Sequence, residues 1–351
     1  MSSVAAADKP AFAQNAQPAA TRACEREGCT NAARSHCGKC RAVHYCGREC
    51  QQAAWPAHKW LCNPCVRIAR GPASGVDDGR GARLVALKQF KEGDELARER
   101  PFARIAHADS VHATDAEAKR WGEGLWDAHV PTMSPGVERD LLYGLTDAWN
   151  DPPTAGGIAR TNCLPLGDHN DSEGSGLFAL ACRANHACRP NARYLWRHDL
   201  QRELLIAVRG IAPGDEVTVT YGPGPANARA WRQEALLRGF RFTCKCELCE
   251  ADDARLDRML MRIGELDDDI LKVAWQNPKQ AIRMALKAIE LCQAAGIDSA
   301  VYVKRFWHDA HQISAKIGNA ADAYKYYGRA HAAALLCEGG ASPEGVRLPR
   351  Y

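Results

Sequence analysis

The sequence predicts a multidomain, mainly α+β protein: a small zinc-built module near the N-terminus, a β-rich middle and an α-helical C-terminal region. Three observations carry this. Cysteines and one histidine recur in pairs from Cys24 to Cys62. Residues 204–222 (LLIAVRGIAPGDEVTVTYG) read as two strands around a Pro213-Gly214 turn, the second β-branched and alternating. Beyond residue 250 the apolar residues fall at helical spacing. At 351 residues, 46% of them hydrophobic, the chain has room for two or three domains with sizeable cores.

The N-terminal pairs are Cys24-x4-Cys29, Cys37-x2-Cys40, Cys46-x3-Cys50 and His58-x3-Cys62. Eight such ligands make two tetrahedral zinc sites, each closed by four protein atoms. A closed site has no position for a reacting water, so this zinc is structural. The alternative, a disulfide knot, fits poorly with a long chain of intracellular character. His36 and His44 fall outside the paired spacing. The histidine in seventh place and the Cys-x3-Cys third pair resemble the MYND zinc finger. That resemblance implies a cross-brace. Cys24, Cys29, Cys46 and Cys50 would hold one ion, and Cys37, Cys40, His58 and Cys62 the other. It also implies a module that recruits proline-containing peptides. Domain boundaries follow as a disordered, Ala-rich tail over 1–23 and the finger over 24–62. The tail lacks the basic start and apolar core of a secretory signal, and Asp8 with no early arginine argues against a transit peptide.

Residues 66–78 (VRIARGPASGVDD) read as a loop, followed by Gly79-Arg80-Gly81, the strand-like RLVAL and the turn KEGDEL. A lone Gly-x-Gly is usually just a turn. Further on come GIARTNCLPLGD (157–168), GLFALACRANHACRPN (176–191), the strand pair ending at Tyr221, and FRFTCKCELC (240–249). In this order the segments resemble the SET domain of protein lysine methyltransferases of the SET-and-MYND, fungal-type group. The resemblance spans roughly 24–250 and places a SET domain at 66–222, with an insert at 101–156, and a post-SET zinc segment at 240–250. It implies S-adenosylmethionine as cofactor, with Gly79, Arg80, Gly81, Asn162, Asn185, His186, Tyr221 and Phe242 around it. Tyr221 would be the catalytic residue, its hydroxyl beside the transferring methyl. In isolation, Tyr221 would read as a strand-end tyrosine in a core. The resemblance further implies a third zinc, held by Cys188, Cys244, Cys246 and Cys249. Cys65, Cys163, Cys182, Cys292 and Cys337 are left as thiols without a role.

These residue types suit methyl transfer to an amine. The sulfonium is already a good leaving group, so no catalytic metal or covalent nucleophile is needed. A lysine with a pKa of about 10.4 must lose its proton, which a dry aromatic channel favours. Three departures stand out. Ala187 replaces the serine usual after Asn-His. The finger precedes Gly79, where relatives insert it within the SET domain. Phe240 stands where some relatives have tyrosine, which leaves the lysine pocket fewer acceptors and would permit higher methylation states.

In the insert, segments near 114–129 and 135–149 look helical. After Cys249, Leu256, Met259, Leu260 and Ile263 begin a helix; Asn277-Pro278 caps a second that Gly296 ends. Two more are expected over 300–317 and 319–337. The last looks weakly like a tetratricopeptide helix, but too few units are present for a solenoid, so 251–340 reads as a helical cap on the SET domain.

No run of about 20 apolar residues is present, which argues against a membrane span. The formal charge of +4 treats every cysteine as neutral. Seven finger thiolates with two Zn²⁺ contribute −3 and four post-SET thiolates with one Zn²⁺ contribute −2, leaving −1 on the loaded chain. Direct nucleic-acid binding therefore has little support. Sixteen cysteines in paired clusters point to the nucleus or cytoplasm. The preferred reading is a protein-lysine N-methyltransferase acting on a histone or another protein. The alternative is a catalytically silent scaffold or transcriptional regulator that works through protein contacts.

Overall fold

The computed structural model describes residues 23–26, 28–41, 43–70, 81–106, 124–133, 136–167, 173–222 and 224–338. The tail up to residue 22, Gly79-Arg80 and the start of the expected 114–129 helix lie outside them. The chain forms two compact units, 1–58 and 59–351, with the division inside the helix Arg48–Leu61.

The finger is built from very little. Strand β1 (Ser35–His36) pairs antiparallel with β2 (His44–Tyr45), and the helix Arg48–Leu61 follows. Its buried residues are mostly cysteines, with Tyr45 and His58. A segment this short cannot bury enough apolar surface to hold itself, so ligand bonds must supply the difference.

Residues Val66–Arg70, read as loop, form strand β3, antiparallel to β4 (Ala82–Ala86), with Val66 opposite Ala86 and Ile68 opposite Leu84. Val66 and Leu84 are fully buried. The period of two was present in VRIAR, but Gly71-Pro72 directly behind it obscured the strand. Strand β5 (Glu95–Glu99) lies on the edge of a three-stranded sheet with β11 (Arg202–Ala207) and β10 (Ala192–Arg197). Strands β6 (Ala103–Ile105), β8 (Ser175–Leu177) and β7 (Leu164–Pro165) form another. Strand β9 (Asn185–His186) runs parallel to β12 (Thr218–Val219). These small sheets enclose one core containing Val66, Leu84, Phe90, Leu96, Leu205 and Val219.

The insert's helix Val137–Tyr143 is shorter than expected because Gly144 ends it. Asp147 then organises a loop, accepting backbone hydrogen bonds from Trp149, Asn150 and Thr154. Thr154 caps the next helix, Ala155–Asn162, by accepting from the Gly157 N–H at 2.9 Å.

Four long helices follow among the described residues: Ala254–Ala274, Pro278–Ala294, Ala300–Lys316 and Ala320–Cys337. Asp253, Asn277 and Asn319 cap three of them, as their residue types dictate. Their core is continuous with Cys188, Leu236, Cys244, Leu248 and Cys249. The helical region thus has no separate core of its own on this side. Among the described residues, no helix is long and apolar enough to cross a membrane.

Two carboxyls face each other across the β5–β11 ladder, Glu99 opposite Glu203. Glu203 is 2% exposed. Burial, with the Glu99 charge added, pushes it up to about 8. Burial also pushes Glu99 up to about 7, against the N–H groups of Ala181 and Leu180 that donate to it. Acids with raised folded-state pKa bind protons more tightly when folded. Their favourable contribution is therefore complete below about pH 4.5 and lost as pH rises to about 8. Glu203→Gln is expected to flatten that decline and to stabilise the protein at pH 8 by on the order of 2 kcal/mol. Thermal unfolding across that range checks this; an unchanged slope would contradict it.

Candidate active site and zinc centres

The described cysteines are free thiols, and eleven of them with His58 gather into three groups of four. The groups are Cys24, Cys29, Cys46, Cys50; Cys37, Cys40, His58, Cys62; and Cys188, Cys244, Cys246, Cys249. In each, the four ligand atoms lie within 4.8 Å of one another. Zn–S bonds of about 2.3 Å in a tetrahedron put sulfurs about 3.8 Å apart. Observed separations are 3.8 Å for Cys29–Cys46, 3.9 Å for Cys29–Cys50, 3.9 Å for Cys188–Cys244 and 3.5 Å for Cys188–Cys249. Cys40 Sγ stands 3.5 Å from His58 Nε2. A disulfide would need about 2.05 Å. The geometry therefore fits zinc in all three places.

Cys188 is the ligand that reaches furthest along the chain, joining the segment after β9 to the Cys244–Cys249 segment. Two residues before it, His186 is buried. Its Nδ1 accepts the Tyr221 backbone N–H at 3.0 Å, and its Nε2 lies 3.4 Å from Cys188 Sγ. Burial pushes the imidazole down to about 4, so the ring is neutral near pH 7. With Nδ1 accepting, the proton sits on Nε2 and points at the Cys188 sulfur.

Aromatic rings surround this histidine. Its centroid is 5.5 Å from Tyr221 and 6.0 Å from Phe242, and Tyr221 is 5.0 Å from Phe240. The Tyr221 hydroxyl donates to the Ala184 carbonyl at 2.9 Å. Burial raises its pKa well above the ordinary tyrosine range, so the hydroxyl stays protonated. Tyr221 follows β12 by two residues and packs against both the strand core and the helical core.

The structure thus brings His186, Tyr221 and Phe242 together, with Asn185 alongside in β9. Asn185 Nδ2 donates to Glu216 Oε1 at 2.8 Å. Glu216 bridges to Val85 of β4, the strand that Gly81 leads into. Gly81 has φ +68°, a conformation that favours glycine, and no atom among the described residues lies within 4 Å of where a Cβ would stand. Asn162 is held by local partners. Its amide donates to the carbonyls of Thr146 (2.7 Å) and Ile158 (2.6 Å). Its carbonyl accepts from Cys182 Sγ at 3.2 Å, giving a positional use to a thiol read as having none. Gly79 and Arg80 lie outside the described residues.

Sequence reasoning missed Glu216 and Arg232. Glu216 sat in plain view within the alternating GDEVTVTYG segment. Arg232, 1% exposed, had no signal, because arginine in a polar helix reads as solvated.

A small finger of paired Cys/His clusters that fit zinc, followed by short sheets around Asn-His and Tyr, is the arrangement expected of a SET-type protein. The family models agree: a MYND finger matches residues 23–62 and a SET domain matches 79–222. The chain combines a MYND finger with a SET domain, the make-up of SET-and-MYND proteins. It is 26% identical over 211 residues to the histone-lysine N-methyltransferase set5 of Schizosaccharomyces pombe, covering 58% of this chain and 59% of that one. It is 28% identical over 237 residues to the human N-lysine methyltransferase SMYD2, covering 67% of this chain and 51% of that one. The chain thus spans little more than half the length of these relatives. A chain of the Chaetomium thermophilum polycomb repressive complex 2 aligns over 78% of this chain and 30% of its own at 14% identity. Its TM-score of 0.26 carries no argument.

Elemental analysis of the purified chain is expected to give three zinc ions. Cys246→Ser and Cys37→Ser should each leave two. A full complement in either variant would show that its cluster is not a metal site.

Proposed function

We propose that this chain is a protein-lysine N-methyltransferase that uses S-adenosylmethionine. The observation that carries the reading is the His186–Tyr221–Phe240–Phe242 ring cluster, tied through Cys188 to a four-cysteine centre. The names of the relatives support it.

When bound, the cofactor supplies an electrophilic methyl on a sulfonium. Gly79, Arg80, Gly81, Asn162, Asn185, His186, Tyr221 and Phe242 are the residues proposed to hold it. Gly81, without a side chain, lets backbone approach a ligand. The ring faces of Phe242 and Tyr221 attract a sulfonium or an ammonium. Tyr221 keeps its proton on Ala184, so its oxygen lone pairs are free to polarise a methyl or orient an amine. The apolar rings favour the neutral amine; deprotonating a free lysine at pH 7 costs about 4–5 kcal/mol, and partial desolvation offsets much of this. The residues therefore act by alignment and by excluding water.

The substrate is proposed to be a lysine of a histone or another protein, in the nucleus or cytoplasm, and the finger to recruit proline-containing peptides. Label transfer from S-adenosylmethionine to histones and cell lysate tests the activity. Tyr221→Phe and Asn185→Ala should each lower it at least about 100-fold. A folded, zinc-loaded protein that neither binds cofactor nor transfers label would instead be a silent scaffold.

Phe240 packs on Tyr221 without a hydroxyl of its own. Products up to di- or trimethyl-lysine are expected, and Phe240→Tyr should shift them towards monomethyl. Mass spectrometry showing only monomethyl product from the wild type would contradict this.

A further inference from the structure

Trp149 lies in the loop that Asp147 organises, and its indole meets two guanidinium groups. The guanidinium carbon of Arg160 stands 3.3 Å from the ring centroid and that of Arg241 4.3 Å. The residue is half-buried, and its Nε1 is buried without a hydrogen-bond partner among the described residues. The ring is therefore held by its faces and not by its N–H. A cation over an indole is attracted by the ring quadrupole, more strongly than over tyrosine or phenylalanine. Arg160 belongs to the helix Ala155–Asn162, which follows the loop. Arg241 comes from elsewhere, at the end of the helix Arg229–Phe240.

The indole is a fixed platform. The Trp149 N–H donates to Asp147 Oδ1 at 2.8 Å. On either side of Asp147, the Ala148 N–H donates to Thr161 Oγ1 at 3.1 Å and the Thr146 carbonyl accepts from the Asn162 amide at 2.7 Å. The loop is thus tied to the helix Ala155–Asn162. Arg241, by contrast, is exposed, and among the described residues its side chain makes no ion pair; its contact is the indole. Its backbone is left-handed, with φ +61°, and its N–H donates to the Leu237 carbonyl at 3.1 Å. Glycine is the usual occupant of such a helix end, because a side chain there costs backbone energy. The stack on Trp149 offsets that cost.

Arg241 stands between the two phenylalanines of the ring cluster. Phe240 lies 5.0 Å from Tyr221, and Phe242 lies 6.0 Å from His186 and 6.4 Å from Tyr221. Whatever fixes Arg241 fixes the short stretch of backbone that joins these rings. We infer that Trp149 is a positioning residue: by holding Arg241 it sets Phe240 and Phe242 against Tyr221 and His186. The insert thereby acts on the candidate site through one stacked pair, without touching cofactor or lysine. The effect on methyl transfer rests on the function proposed above; the hold on Arg241 does not.

The test uses the full chain, zinc-loaded, as wild type, Trp149→Leu, Trp149→Phe, Arg241→Gln, Arg241→Lys and the Trp149→Leu/Arg241→Gln double variant. Amide hydrogen exchange is followed by mass spectrometry in peptides covering 238–246, with the helix Pro278–Ala294 as internal reference. A partly exposed cation–π contact shifts an equilibrium by about two- to five-fold. Trp149→Leu and Arg241→Gln should each speed exchange in 238–246 by about that factor, and the double variant no further. Trp149→Phe keeps an aromatic face and Arg241→Lys keeps the charge, so each should recover part of the protection. Label transfer from S-adenosylmethionine to histones, on the same samples, should fall in the same order. If Trp149→Leu does not fold, the two Arg241 variants decide. Unchanged exchange in the folded single variants, or additive effects in the double, would overturn the hold on Arg241. Faster exchange with label transfer unaltered would overturn the positioning role. A wild type that transfers no label counts against the proposed function, and exchange then still decides the hold.

Discussion

His186 makes one hydrogen-bonding contact through each ring nitrogen, and the candidate site depends on that arrangement. On one side stands the Cys188 sulfur, on the other the Tyr221 backbone N–H. A neutral imidazole can serve both only in one tautomer and one orientation. The ring thereby fixes the distance between the third cysteine cluster and Tyr221. Phe240 and Phe242 complete the surround and belong to the same segment that supplies Cys244 and Cys246. Cluster and ring box are consequently one construction, with the same few residues bracing both.

The C-terminal helices take part in it. Cys188, Cys244 and Cys249 share a core with Leu260, Ile263, Ala285 and Phe306. The Ala300 N–H also donates to Glu92, in the turn before β5. The helices and Tyr221 pack against one core around the cluster. Their role in this fold is burial, which keeps the four-cysteine cluster largely away from water.

Much of this was legible in the chain itself, for chemical reasons. Zinc admits few ligand types, and tetrahedral reach confines their spacing, so Cys24 to Cys62 announce themselves. Caps are similarly local: Asn277-Pro278 starts a helix wherever it occurs. What escaped depends on partners distant in sequence. Strand Val66–Arg70 exists because Ala82–Ala86 lies opposite, beyond a Gly-Pro break. Glu203 sits in a strand buried on both faces, so its parity with Leu205 gave no contrast. Arg232 reads as surface, and only the assembled cluster shows its surroundings. Asn162 lies at a helix end with its amide turned to local carbonyls.

The uneven spacing of the third cluster has a bearing on how the protein is made. Cys244, Cys246 and Cys249 lie within six residues, while Cys188 stands 56 to 61 positions earlier. Three local ligands can capture an ion while the rest of the chain is still unstructured. Completing the tetrahedron then means closing a long loop, whose entropy cost grows only slowly with length. By that point β10 through the helix Arg229–Phe240 lie inside the loop, and closure sets them in place together. During synthesis Cys188 emerges first and must wait for its partners. Metal supply at that stage would govern the yield of folded protein, separately from the stability it reaches afterwards.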